Sequence, residues 1–112
     1  MITAHLSGEL IYSNSSEAYS FFEKSSFGEK VDDKIQYSFS EAIYLSEKEK
    51  MEIFSRGKKI PQKDLAKKIQ NLDKRIQVKY PVFRDLRNKG YVVKTALKFG
   101  ADFRVYEKGA KV

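Results

Sequence analysis

The chain contains no cysteine and no tryptophan, and among its 112 residues there are one histidine, two prolines and six glycines. Without cysteine there is no disulfide, no thiolate chemistry and no cysteine-ligated zinc, and His5 alone cannot build a multi-histidine metal centre. Any chemistry is therefore expected to need neither metal nor cofactor. No apolar run approaches the roughly 20 residues that span a bilayer, and the opening Met1-Ile-Thr-Ala-His-Leu lacks the basic start and apolar stretch of a signal peptide. The expectation is a cytoplasmic protein with no membrane partner. Internal repeats and low-complexity tracts are missing, as are a Gly-x-Gly-x-x-Gly loop and a Walker pattern, so nucleotide binding is not expected.

What the chain does have is apolar mass and positive charge. Hydrophobic residues make up 41% and charged residues 33%, with eight Phe and seven Tyr, enough to build a core. The length fits one modest domain, or one small domain and part of another. The net charge of +7 is unevenly placed: residues 78–112 carry nine Lys or Arg against three Asp or Glu, whereas residues 1–77 carry thirteen against twelve. Basic surface is common in proteins that bind nothing acidic, so its concentration at one end is the informative part.

Local patterns divide the chain into short elements. Residues 2–13 read as two strands around a Ser7-Gly8 turn, because glycine supplies the positive φ of tight hairpins. Residues 14–16 can cap a helix running to about Lys24, and 27–34 then read as a polar loop. Alternation over residues 35–39 predicts a strand, and Ser38 with Glu41 matches a capping box opening a short helix with Ala42, Ile43 and Leu45. Residues 51–54 form another strand candidate, closed by an Arg56-Gly57 turn, and Pro61 pre-sets φ for the next helix. Leu65, Ile69, Leu72 and Ile76 recur at helical spacing along one stripe. Pro81 is expected to end or kink that helix, since proline lacks the amide donor. Phe83 and Leu86 continue a short helical segment that Gly90 can cap.

Beyond Gly90 the chain alternates again. Tyr91, Val93, Thr95, Leu97 and Phe99 fall on one face, Val92, Lys94, Ala96 and Lys98 on the other. After a Gly100-Ala101 turn, Phe103 and Val105 face one way while Asp102, Arg104 and Tyr106 face the other. The hairpin should thus have an apolar and a basic side. The chain ends six residues after Tyr106, and a hairpin with one flanking helix is marginal in water, so the second domain is expected to be incomplete and its hairpin loosely held.

The block over residues 80–109, YPVFRDLRNKGYVVKTALKFGADFRVYEKG, joins RDLR, GYVVKT and GADFRVY in order without a gap. It resembles the signature block of the archaeal tRNA-intron endonucleases, in which a helix ending in an RDLR-type turn leads into a KT-x-x-KFGADFRVY-type hairpin. Where members of that family often have Gly after KT, this chain has Ala96. The resemblance is strong over 30 of the 112 residues, and the preceding order of strands and helices agrees loosely with the family's N-terminal domain. It implies an α+β fold: a small N-terminal domain, residues 1–77, of short strands and about three helices, followed over 78–112 by the first helix and β-hairpin of an incomplete α/β nuclease domain.

The resemblance also implies metal-independent, lyase-type cleavage of precursor tRNA at a bulge-helix-bulge motif, leaving 2′,3′-cyclic phosphate and 5′-hydroxyl ends. In that mechanism a Tyr takes the 2′-hydroxyl proton, a His protonates the leaving 5′-oxygen and a Lys steadies the charged intermediate. Only the Tyr has a counterpart here, Tyr106 in FRVYEKG. Each positioned acid or base typically contributes about 10² to 10⁴ in rate, so the chain alone is expected to be nearly inert. A phenol ionises near pH 10 and needs neighbouring positive charge to act as a base, which Arg104 on the same strand face can offer. An ordinary amphipathic-strand tyrosine is the competing reading. His5 lies in the first strand, remote in sequence from the hairpin, and reads as structural.

Lys94, Lys98 and Arg104, with Arg84 and Arg87 on the preceding helix, form the candidate footprint for RNA phosphates. Against this, charged residues often only solvate a surface, and Asp85 or Asp102 can pair locally with the arginines. Phe21, Phe22, Tyr37, Phe39, Phe54 and Phe83 are read as core. The expected partners are precursor tRNA and further endonuclease subunits in a homo- or hetero-oligomer. The other readings are a non-catalytic structural or RNA-binding subunit of such an enzyme, and an RNA-associated module unrelated to cleavage.

Overall fold

A computed structural model describes residues 1–95 and 103–107. Its elements are β1 (Ile2–Ser7), β2 (Leu10–Ser13), α1 (Ser16–Ser25), β3 (Glu29–Val31), β4 (Lys34–Tyr37), α2 (Phe39–Glu47), β5 (Met51–Ser55), β6 (Lys58–Lys59), α3 (Gln62–Leu72), α4 (Ile76–Asn88), β7 (Val92–Thr95) and β8 (Phe103–Tyr106). The α+β class is as expected. Six strands form one sheet in the order β3-β4-β2-β1-β5-β6, and β7 pairs with β8 in a second. Every pairing is antiparallel except β1 with β5.

Alternation decides which face of the large sheet is covered. Along β1, Ile2, Ala4 and Leu6 are buried while Thr3, His5 and Ser7 are exposed. Ile11, Ile35, Tyr37, Met51 and Ile53 join the buried side, where Ala18, Ala42, Ile43, Leu45, Leu65, Ile69 and Phe83 from the helices meet them. Because β4 runs parallel to β5 with two strands between them, their connection must cross a face of the sheet, and α2 makes that crossing. The Ser7-Gly8 turn holds with Gly8 at φ +61°, and Arg56 and Gly57 turn β5 into β6, both at positive φ.

Helix starts follow the expected chemistry. The Ser15 hydroxyl accepts the Ala18 amide, and Ser38 and Glu41 close a reciprocal capping box that satisfies two otherwise orphaned amides. Three expectations need correction. Residues 27–34 are not simply a loop: β3 pairs with β4 as an edge strand, too short for its alternation to register in sequence. The Leu65 to Ile76 stripe does not lie on one helix, because Asp73 ends α3 by accepting the Arg75 amide on its own side chain. Pro81 then sits inside α4 without ending it. The hydrogen bond it forfeits belongs to the Gln77 carbonyl, and both residues lie on the exposed flank, where solvent can serve that carbonyl.

The β7–β8 hairpin departs most from expectation. Val92 and Val93 are buried, and Val93 lies in the same core cluster as Ile43, Leu65 and Phe83, so β7 packs against the rest of the chain rather than awaiting a cover. Val105, opposite Val93, is 49% exposed. Leu97, Phe99 and the Gly100-Ala101 turn lie outside the described residues. Among the described residues no helix is long and apolar enough to cross a membrane.

Candidate functional site

Register sets the neighbours of Tyr106. Val92 pairs with Tyr106 and Lys94 with Arg104, and since directly opposed residues of an antiparallel pair project to the same side, these four share one face. Arg104 is exposed and Tyr106 half-buried. The Lys94 end of that face is closed.

Lys94 is only 7% exposed. Its ammonium donates to the carbonyls of Ser26 (2.9 Å) and Gly28 (2.6 Å) and to Glu41 Oε2 (3.1 Å), with Glu29 Oε1 at 3.4 Å. Glu41, 2% exposed, also accepts the Gly28 amide at 2.7 Å and the Ser38 amide at 3.0 Å. Beside this pair, Arg87 donates to the carbonyls of Ser25 (2.9 Å) and Ser26 (3.0 Å) and stacks its guanidinium 3.8 Å from the centre of the Phe27 ring. Burial lowers the Arg87 pKa below its usual range, partly offset by Glu41. The loop they grip depends on Gly28, whose φ of +85° and contact with Ile35 leave no room for a side chain. One buried polar cluster thus ties α4 and β7 to the end of α1 and the start of α2.

Two members of the candidate phosphate footprint are therefore not surface cations. Lys94 gives its donors to two buried carbonyls and a carboxylate and Arg87 its two terminal nitrogens to backbone carbonyls, because a buried charge is costly unless it is hydrogen-bonded. Arg84 is exposed, 5.5 Å from the centre of the Tyr80 ring, and Asp85 pairs with Lys89 at 3.0 Å rather than with an arginine. Lys98 and Asp102 lie outside the described residues. Among the described members, Arg84 and Arg104 face solvent. Sequence reasoning noticed Glu41 only as a helix cap; its second role, as the counter-ion of Lys94, has no local signal.

The helix leading into the hairpin is held on its inner side. Phe83 is fully buried and meets the Tyr44 ring edge-on at 5.8 Å. The Tyr80 hydroxyl donates to Glu47, and burial followed by that contact raises the Tyr80 pKa. Tyr44 donates to Asn88 at 2.9 Å. The one histidine, His5, packs between Tyr12 and Phe54 on the exposed face of the large sheet.

Comparison with known families divides the chain at the same helix pair. Residues 2–66 match the model of the tRNA intron endonuclease N-terminal domain, and residues 76–112 match that of the tRNA intron endonuclease catalytic C-terminal domain. The chain belongs to the tRNA intron endonuclease family. Among its relatives, the tRNA-splicing endonuclease of Pyrococcus horikoshii is 39% identical over 111 residues, covering 98% of this chain and 65% of the relative. That of Nanoarchaeum equitans is 44% identical over 85 residues, 74% of this chain and 54% of the relative. That of Methanothermobacter thermautotrophicus is 41% identical over 87 residues, 77% and 49%. The chain thus spans two thirds or less of the length of these endonucleases, and Tyr106 lies within the stretch matched to the catalytic domain.

Proposed function

We propose that this chain supplies the N-terminal domain and the general-base strand of a tRNA-splicing endonuclease that cleaves precursor tRNA at bulge-helix-bulge motifs without metal. The observation that carries the reading is the position of Tyr106 in FRVYEKG, half-buried on the same strand face as the exposed Arg104 and paired with the buried strand β7. In the reaction Tyr106 takes the proton of the 2′-hydroxyl. The freed oxygen attacks the adjacent phosphorus and the 5′-oxygen leaves, giving a 2′,3′-cyclic phosphate and a 5′-hydroxyl. Protonating the leaving oxygen and steadying the equatorial charge require a His and a Lys that have no counterpart among the motif residues here. Arg104 and Arg84, with Lys98, are the cations we assign to backbone phosphates. Endonuclease subunits are the protein partners of this reading.

In a protein carrying all three roles, Tyr106→Phe is expected to lower the single-turnover cleavage rate by roughly 10² to 10⁴ at saturating enzyme, with substrate affinity unchanged. A rate within a few-fold of the parent would make Tyr106 a structural strand residue and leave the non-catalytic subunit as the better reading.

A further inference from the structure

Among the described residues, the helices pack their apolar side chains on one face of the six-stranded sheet, and the other face carries a row of rings. Cross-strand pairing aligns Tyr12 with His5 and His5 with Phe54. Their ring centres are 5.6 Å and 6.2 Å apart, tilted by 35° and 39°. The row has a cation at each end: the Lys34 ammonium sits 4.8 Å from the centre of the Tyr12 ring, and Lys59 is the cross-strand partner of Phe54. A groove of about 1170 Å³ opens from these rings along the β5–β6 hairpin toward α3. Arg56, Lys58, Lys59 and Lys68 line it, against one carboxylate, Asp64. Elsewhere on this face, Glu52 pairs with Thr3 in the register and Glu29 with Gln36.

Aromatic cross-strand pairs add a modest stabilisation to a sheet, and that role does not call for cations at both ends of the row and along the groove. Partly exposed rings beside a cationic groove are what unpaired nucleotides need: every base has a stacking face and every linkage a negative charge. Four cations against one carboxylate complement a polyanion better than they complement an apolar protein surface. We propose that this outer face is a binding site for single-stranded RNA, with Tyr12, His5 and Phe54 stacking unpaired bases and Lys34, Arg56, Lys58 and Lys59 holding the flanking phosphates. The site is on the large sheet, apart from the Tyr106 hairpin, and its existence does not depend on Tyr106 being catalytic.

The test uses the 112-residue chain and a fluorescein-labelled single-stranded octaribonucleotide, followed by anisotropy, beside an abasic ribose-phosphate octamer of equal charge. The base-bearing oligonucleotide is expected to bind more tightly. Tyr12→Ala and Phe54→Ala should each weaken it roughly 5- to 150-fold, as loss of one stacked base does. Because both rings are half-buried, Tyr12→Leu and Phe54→Leu, which keep apolar volume and remove the ring, should show the same direction with an unchanged melting temperature. Lys58→Ala should reduce the slope of log affinity against log salt by about 0.7. Equal binding of the two octamers would overturn the proposal in favour of simple charge attraction. Ring variants that bind normally but shift the chain from dimer to monomer in sedimentation would make the face a protein contact instead.

Discussion

At the scale of single residues, the same type of side chain plays opposite parts according to what surrounds it. Lys94 and Arg104 are cross-strand partners, yet one is sealed against Glu41 and two carbonyls while the other faces solvent. Removing one member of a buried ion pair leaves the other charged and unpaired, which costs about 3–5 kcal/mol. Lys94→Met is therefore expected to destabilise the chain by about that amount in denaturant melts, and Glu41→Gln added to it should recover part of the loss, a coupling that independent sites would not show. Arg104→Ala, on the surface, should stay within about 0.5 kcal/mol. If Lys94 were a phosphate contact, a folded Lys94 variant would lose salt dependence of RNA binding; the buried pairing predicts that it keeps it.

At the scale of elements, the junction between α3 and α4 turns on one carboxylate. Burial alone would raise the Asp73 pKa, but the hydrogen bond from Lys79 (3.0 Å), the Arg75 amide and both positive charges outweigh it and hold the carboxyl below its usual range. A depressed folded pKa contributes stability that is present above the unfolded value, about 3.9, and is lost as pH falls through the folded value. Asp73→Ala is expected to cost about 1 kcal/mol at neutral pH, from the ion pair and the lost turn acceptor. Thermal melts at descending pH should show that difference shrinking below about pH 4; a constant gap would assign the effect to the turn geometry alone. The sequence carried the helical period on both sides of this junction and the proline after it. Where the helix stopped was settled by a side chain competing for a backbone amide, which periodicity does not register.

At the scale of the whole molecule, the stretches matched to two domains share a core. Val93 of β7 packs in the cluster that holds Ile43, Leu65 and Phe83, and the Lys94 and Arg87 clamps reach the loop after α1. Hydrogen exchange should therefore find the protected amides of residues 92–95 opening with those of α3, in one cooperative step. Exchange across 92–95 that is orders of magnitude faster than in α3, in a monomeric sample, would restore the loosely held hairpin expected from the sequence. The outer side of α4 keeps Val78 and Val82 72% and 51% exposed, one turn apart.

Much of the chain was legible locally. The Ser7-Gly8 and Arg56-Gly57 turns, the Ser38 and Glu41 box, the period of α3 and the block from RDLR to FRVY each depend on residues within a few positions of one another, so sequence alone determined them and, through that block, the family resemblance. The fate of the charges was not local. Lys94 finds Glu41 across 53 positions and Ser26 across 68, and Arg87 finds Ser26 across 61. A lysine bound for solvent and one bound for a buried carboxylate look alike in a strand pattern. Tertiary structure alone decided which was which, because burying a charge is favourable only where acceptors from distant segments converge on it.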